Sequence, residues 1–192
     1  MMYRFCQTLL RAIFATLFPL KAEGLGNIPS TGPVLLCSNH ISNIDPTTVG
    51  VKVRRKVHYM AKAELFSTKL SNAFLRSLGA FPVKRGGVSK ESIRLSIQML
   101  KEGNVVGIFP EGTRKSSEDN MGKKGAAMMA LRSGATVVPV AIIGPYKPFR
   151  RMRIKYGKPI DMQDFIDHPS SDVLDRATER IMSRIREMVR EG

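Results

Sequence analysis

The chain has no tryptophan, only two cysteines and only three histidines. Each scarcity removes a class of explanation. Two lone thiols, Cys6 and Cys37, cannot build a disulfide framework in 192 residues, which points to a reducing compartment. His40, His58 and His168 lie far apart, and no Cys or His pair has ligand spacing, so a structural zinc site is not expected. No uninterrupted run of about 18 apolar residues is present to cross a bilayer as a helix. There is no G-x-x-x-x-G-K-[ST] phosphate loop and no G-x-S-x-G nucleophile elbow. Gly24-Leu25-Gly26 is followed by Pro29 where a dinucleotide fingerprint needs its third glycine.

Acidic residues are the other shortage. Sixteen Asp and Glu face 31 Lys and Arg, leaving a net charge of +15. That balance favours an anionic partner: nucleic acid, an acidic protein, a phosphate-bearing substrate or an anionic membrane surface. Charge alone does not choose among them. A nucleic-acid-binding module rests on the charge alone, because no binding motif and no basic-aromatic platform accompanies it. Hydrophobic residues make up 43%, enough for a sizeable core, and the length suits one domain.

The middle of the chain alternates short apolar runs with helical patterns, which predicts an α/β fold. Strands are expected at Val34–Cys37, Val57–Met60, Phe81–Val83, Val105–Phe109, Thr136–Ile143 and Met152–Tyr156. Pro139 lacks a ladder donor, so its strand is expected to bend or lie at an edge there. Helices are expected from Asp45-Pro46, over 66–78, from Ser89 through Lys101, over 125–133, and from about Asp172 to the end. The polar stretch 114–124 reads as a surface loop.

Near the N-terminus, Met2, Phe5, Cys6, Leu9, Leu10, Ile13, Phe14, Leu17 and Phe18 recur at three- and four-residue spacing. Arg4, Gln7, Thr8 and Arg11 fall between them. This predicts an amphipathic helix. It either packs on the domain's own core or lies in a membrane interface, its arginines toward anionic head groups. A secretory signal fits less well, since Arg11 interrupts the apolar region and no small-residue cleavage site follows.

Three stretches carry possible chemistry. In Asn39-His40-Ile41-Ser42-Asn43-Ile44-Asp45 a histidine follows a buried strand and an acid sits at a helix start. On one helix, residues five apart diverge by about 140°. A loop can instead fold the imidazole onto the carboxylate, fixing the tautomer and leaving the other nitrogen as a base. The alternative is a loop histidine beside a helix-capping aspartate. Phe109-Pro110-Glu111-Gly112-Thr113-Arg114 closes a strand, where α/β folds bind ligands. Thr113, the loop amides and Arg114 suit an anion, and a tight surface turn is the plainer reading. Gly79-Ala80-Phe81-Pro82-Val83-Lys84-Arg85 ends in two cations. Arg85 has the geometry for bidentate phosphate, although a solvated basic pair fits as well.

Together these stretches and Val138-Pro139-Val140 fall in the order of the four motif blocks of the glycerolipid acyltransferases. The chain resembles the bacterial 1-acylglycerol-3-phosphate (lysophosphatidic acid) acyltransferases over roughly residues 24–160, including Gly26-Asn27-Ile28-Pro29 and Gly32-Pro33. It departs from them at Pro82, where the second block often carries an aromatic or branched residue.

The resemblance implies a lysophospholipid acceptor, foremost 1-acylglycerol 3-phosphate. It also implies an acyl thioester donor on coenzyme A or acyl carrier protein, with no bound cofactor or metal. His40 becomes the catalytic base and Asp45 its partner. Asn39, Gly79, Phe81, Lys84, Arg85, Glu111, Gly112, Thr113 and Arg114 become substrate-binding residues, with Arg85 on the phosphate. Acylation of glycerol 3-phosphate or of another lysophospholipid is the alternative within enzymes.

The implied architecture is α/β: an acyltransferase domain over 23–192 with a mixed, largely parallel central sheet flanked by helices. An amphipathic membrane-docking helix over 1–22 precedes it. Lipid substrates place the protein peripherally or monotopically at the cytoplasmic face of the cell membrane. The basic run Lys147, Arg150, Arg151, Arg153, Lys155 and Lys158 and the cluster Lys52, Arg54, Arg55 and Lys56 suit an anionic leaflet or an acidic carrier protein equally.

Overall fold

Short β-branched runs, each apolar on both faces, set up the centre of the molecule. The computed structural model describes residues 2–83, 90–110 and 120–192. In chain order the elements are α1 (Met2–Thr16), β1 (Leu20–Glu23), β2 (Val34–Ser38), α2 (Asp45–Val51), β3 (Val57–Lys62), α3 (Lys69–Ser77), β4 (Ala80–Val83), α4 (Lys90–Lys101), β5 (Val105–Ile108), α5 (Asn120–Ser133), β6 (Thr136–Ile143), β7 (Met152–Tyr156), α6 (Gln163–Asp167) and α7 (Val173–Arg190).

The strands form one sheet in the order β1-β7-β6-β2-β5-β3-β4. Every pairing is parallel except β6 with β7. β2 shows why the apolar run is continuous. Leu35 and Cys37 face one layer, with Ile93 and Leu100 of α4, Ala126 and Met129 of α5, and Ile181 and Ile185 of α7. Val34 and Leu36 face the other, with Val49 of α2 and with Val53 and Tyr156. A parallel strand covered on both sides has no polar face to alternate with.

The expected α/β class and largely parallel sheet describe what is present. Three local expectations change. Pro139 does not bend β6 or put it at an edge: β6 pairs with β2 on one side and β7 on the other. The Pro139 carbonyl accepts from Gly157 N (2.8 Å) on the β7 side. The donor proline lacks would face that same side, just beyond the last register pair, Val140 with Tyr156. Pro82, by contrast, lies in β4 at the sheet edge, where proline is tolerated. The helix expected over 1–22 ends at Thr16, and Leu20–Glu23 forms β1 against β7. The surface loop expected over 114–124 is helical from Asn120, and Lys124 Nζ meets the Asp175 carboxylate of α7 at 2.7 Å.

Helix α1 is amphipathic in an unexpected sense. Its inward face is partly polar. Gln7 Nε2 donates to the carbonyls of Gly50 (3.2 Å) and Val53 (2.8 Å), and Arg11 Nε donates to Val51 O (2.8 Å). Tyr3 accepts from Val57 N through its hydroxyl (3.2 Å). The Gln7 and Arg11 contacts add side-chain donors to carbonyls at and just beyond the end of α2, and Arg11 supplies the cation favoured at a helix C-terminus. Phe14 is buried beside them. The outward face is apolar: Met2, Phe5, Leu9, Ile13 and Leu17 are all exposed, Phe5 at 67%. Arg11 therefore serves the fold rather than a head group. No helix among the described residues is long and apolar enough to cross a membrane.

Gly107 of β5 has no room for a side chain. A Cβ there would stand 2.1 Å from Cε1 of Tyr59, whose ring lies over it. Gly107→Ala is expected to destabilise the fold by about 1–3 kcal/mol through overpacking. The check is the urea midpoint, and an unchanged midpoint would show that the Tyr59 ring moves aside freely.

Candidate functional site

Strands β2, β5 and β6 run in one direction, so their C-terminal ends gather at one edge of the sheet. Open α/β sheets bind ligands beyond such edges. Asn39 follows β2 immediately and is 7% exposed. Its Oδ1 accepts from Ile142 N (2.8 Å) and its Nδ2 donates to Ile142 O (3.0 Å). The amide thus continues the ladder toward β6 for one step after the backbone turns away, and it anchors the residue before His40.

The loop then brings His40 and Asp45 together. His40 Nδ1 lies 2.6 Å from Asp45 Oδ2. The same oxygen accepts from the backbone N–H groups of Ile41 and Ser42, each at 2.7 Å. Asp45 does not cap α2. It is the first residue of that helix, with Pro46 next, and its carboxylate turns back onto the loop it follows. Its residue is fully buried, while the His40 side chain keeps 19% of its surface exposed. Burial pushes the Asp45 carboxyl up, but the hydrogen bonds from His40, Tyr146, Ser42 and Ile41 outweigh it and hold the group below its ordinary value. An ionised Asp45 can only accept, so Nδ1 of His40 donates to it.

The imidazole is also held from the side. Phe109, just past β5, stacks on it with ring centroids 4.3 Å apart and planes at 22°. Tyr59 stacks behind Phe109 at 6.3 Å. The Tyr59 hydroxyl is buried and has no hydrogen-bond partner among the described residues. Tyr59 lines a cavity of about 260 Å³ between α1, α2, β3 and α3, whose apolar walls include Leu10, Val51, Met60 and Leu75. Cys37, three residues before His40, is fully buried, and burial pushes its thiol far above the ordinary range.

Of the residues singled out from sequence, Asn39, His40 and Asp45 come together here. Gly79 and Phe81 lie elsewhere, before and within β4, three strands out from β2 and so roughly 14 Å away at ~4.8 Å per strand. Gly79 has φ +91°, and a Cβ would meet Val57 O at 2.7 Å, so backbone geometry alone demands glycine. Phe81 is buried. Lys84, Arg85, Glu111, Gly112, Thr113 and Arg114 lie outside the described residues, as does Ser89.

One member of the site was not foreseen. Tyr146 follows β6, and its hydroxyl donates to Asp45 Oδ1 at 2.6 Å. Thr48 of α2 lies 2.8 Å from the same hydroxyl. The signal available was an aromatic residue just beyond the strand expected over Thr136–Ile143.

A family model described as Acyltransferase matches residues 19–143. The chain is 37% identical over 193 aligned residues to "1-acyl-sn-glycerol-3-phosphate acyltransferase" of Bacillus subtilis (strain 168), covering 97% of this chain and 96% of that protein. A Borreliella burgdorferi protein of the same name is 29% identical, over 86% of this chain and 68% of its own. The crystal structure of the 1-acyl-sn-glycerophosphate acyltransferase of Thermotoga maritima matches with a TM-score of 0.69 at 23% identity. The match covers 99% of this chain and 78% of that one, and it shows the shared fold.

The depressed carboxyl has a consequence for stability. Asp45 ionises more readily folded than unfolded, so its contribution is fully present above the unfolded pKa of about 3.9 and is lost as pH falls through the lower folded value. Denaturant unfolding followed between roughly pH 5 and pH 2 should show a steeper acid loss for the parent chain than for Asp45→Asn. Parallel slopes would remove Asp45 from the acid-sensitive groups.

Proposed function

The chain belongs to the acyltransferase family, and from that membership we propose a specific reaction. A fatty acyl chain passes from a thioester on coenzyme A or acyl carrier protein to the sn-2 hydroxyl of 1-acylglycerol 3-phosphate, making phosphatidic acid for phospholipid biosynthesis. The near full-length likeness to the Bacillus subtilis protein of that name favours this acceptor. The observation that carries the reading is the His40–Asp45 pair at the ligand-binding edge of the sheet.

An alcohol is a poor nucleophile at neutral pH. His40 Nε2 takes the sn-2 proton as the oxygen attacks the thioester carbonyl, and Asp45 stabilises the imidazolium through Nδ1. As the tetrahedral centre collapses, the new C–O bond remains and the C–S bond breaks. The thiolate recovers the proton from His40. Positioned base catalysis of this kind is worth about 10²–10⁴ in rate. Direct transfer is favoured over an acyl-enzyme because the buried Cys37 resists forming a thiolate.

Arg85 holds the acceptor phosphate, with Lys84 adding charge. Glu111 accepts from a glycerol hydroxyl or braces Arg85, and Gly112, Thr113 and Arg114 complete the anion-facing loop. These roles rest on the family resemblance. No resident cofactor or metal takes part.

The acceptor and product are lipids, so the reaction takes place at a bilayer, at the cytoplasmic face in this reading. Helix α1 docks there through its outward stripe. Phe5 and Leu9 of α1 and Leu70 and Phe74 of α3 are exposed on the two helices that wall the apolar cavity. That cavity receives an acyl chain. Exposed Lys147, Arg150 and Arg151 add attraction to anionic lipid.

Purified His40→Ala should keep its circular dichroism and lose thiol release from acyl thioester by at least about 100-fold. Near-parental turnover would rule out the mechanism. The same assay across 1-acylglycerol 3-phosphate, glycerol 3-phosphate and neutral lysolipids fixes the acceptor, and a preference for glycerol 3-phosphate would overturn the proposed one. Converting Phe5 and Leu9 to Glu should abolish flotation with vesicles containing anionic lipid. Unchanged flotation would remove α1 from docking.

A further inference from the structure

We propose that Tyr146 is a positioning residue, holding the Asp45 carboxylate in the orientation that His40 requires. The inference rests on the reaction proposed above and names a residue that the motif blocks do not contain.

The two oxygens of Asp45 are used unequally. Oδ2 takes His40 and the amides of Ile41 and Ser42. Oδ1 takes the Tyr146 hydroxyl at 2.6 Å, its partner among the described residues. A phenol has one proton and an ionised carboxylate can only accept. Tyr146 therefore donates to Asp45, and the single Thr48 Oγ1 proton is shared between the phenol oxygen at 2.8 Å and the Ile44 carbonyl at 3.2 Å. The chain of donors runs from Thr48 to Tyr146 to Asp45, with His40 arriving from the other side. Thr48 and Asp45 belong to the same helix, so Tyr146 ties that helix to the end of β6.

The loop around Tyr146 is braced. Gly144 has φ +105°, and a Cβ there would stand 3.1 Å from Arg151 O. Lys147 N donates to Pro145 O (2.8 Å), Arg150 N to Lys147 O (3.1 Å), and Phe149 N to Leu17 O beyond α1 (2.7 Å). The phenol thus reaches Asp45 from a fixed backbone.

Removing the hydroxyl leaves Oδ1 buried and short of a donor. The carboxylate then turns more freely and becomes more basic, and it stabilises the protonated imidazole more strongly. Among the described residues, the titratable groups facing Asp45 are His40 and Tyr146, with Tyr59 behind Phe109.

The test is Tyr146→Phe, assayed against pH with 1-acylglycerol 3-phosphate and an acyl thioester. The expected result is a fall in kcat of about tenfold, the size of one hydrogen bond to a charged group, with KM for the acceptor unchanged. The acid limb of kcat/KM should move up by roughly half a pH unit. Thr48→Val should move it the same way by less, and keeps the test available if Tyr146→Phe is poorly folded. In an Asp45→Asn background, Tyr146→Phe should have no further effect. An unmoved acid limb, or an equal loss with and without Asp45, overturns the inference while leaving a His40-dependent reaction intact. A parent chain that transfers no acyl group, or that survives His40→Ala, overturns the reaction itself and this inference with it.

Discussion

Taking a carboxylate out of water costs several kcal/mol unless donors replace its hydration, and Asp45 is fully buried. Much of the local architecture follows from meeting that requirement. Two of its donors are consecutive backbone amides, so the chain between β2 and α2 must curl tightly around the acid. The third is the imidazole, whose place depends on Asn39 gripping Ile142. The fourth is a phenol delivered from beyond β6, which requires β6 to lie beside β2. A charge that would otherwise destabilise the fold has become the fixed point around which a strand end, a helix start and a distant loop are arranged.

What was legible in the sequence was what is local or periodic. His40 and Asp45 stand five residues apart, so their loop was visible as a unit. The strands were visible because a doubly covered strand is an unbroken apolar run. Tyr146 was not visible, because its contact spans 101 residues and exists only once the strand order is known. The orientation of α1 was left open for a related reason. Periodicity shows that a helix has two faces but not which one the protein keeps. Here the buried face is the one that carries Gln7 and Arg11, which donate to the carbonyls of Gly50, Val51 and Val53.

The net charge of +15 divides the same way. Some of it is used inside the fold. Arg11 and Arg55 bind backbone carbonyls, Arg153 pairs with Glu23, and Lys56 reaches the Arg76 carbonyl. Others pair with acids at the surface, Lys124 with Asp175 and Arg176 with Asp172 among them, while Lys147, Arg150 and Arg151 are exposed on a loop joined to the chain just past α1. Phe149 sits among them, 75% exposed, with φ +62°. A bulky residue in the left-handed region is strained, and the hydrogen bond from Phe149 N to Leu17 O (2.7 Å) holds the turn there, at the end of the apolar stripe.

Helix α1 also places two opposite evolutionary constraints on one short segment. Positions 2, 5, 9, 13 and 17 are exposed, so packing within the fold restricts them little. Positions 7 and 11 each answer specific carbonyls and are tightly restricted. Residues of one helix should therefore differ sharply in how many replacements they tolerate. The segment is not a detachable tag either: a chain trimmed of it would be a different folding problem, with α2 uncapped beneath the acid it carries, and not a water-soluble edition of the same enzyme.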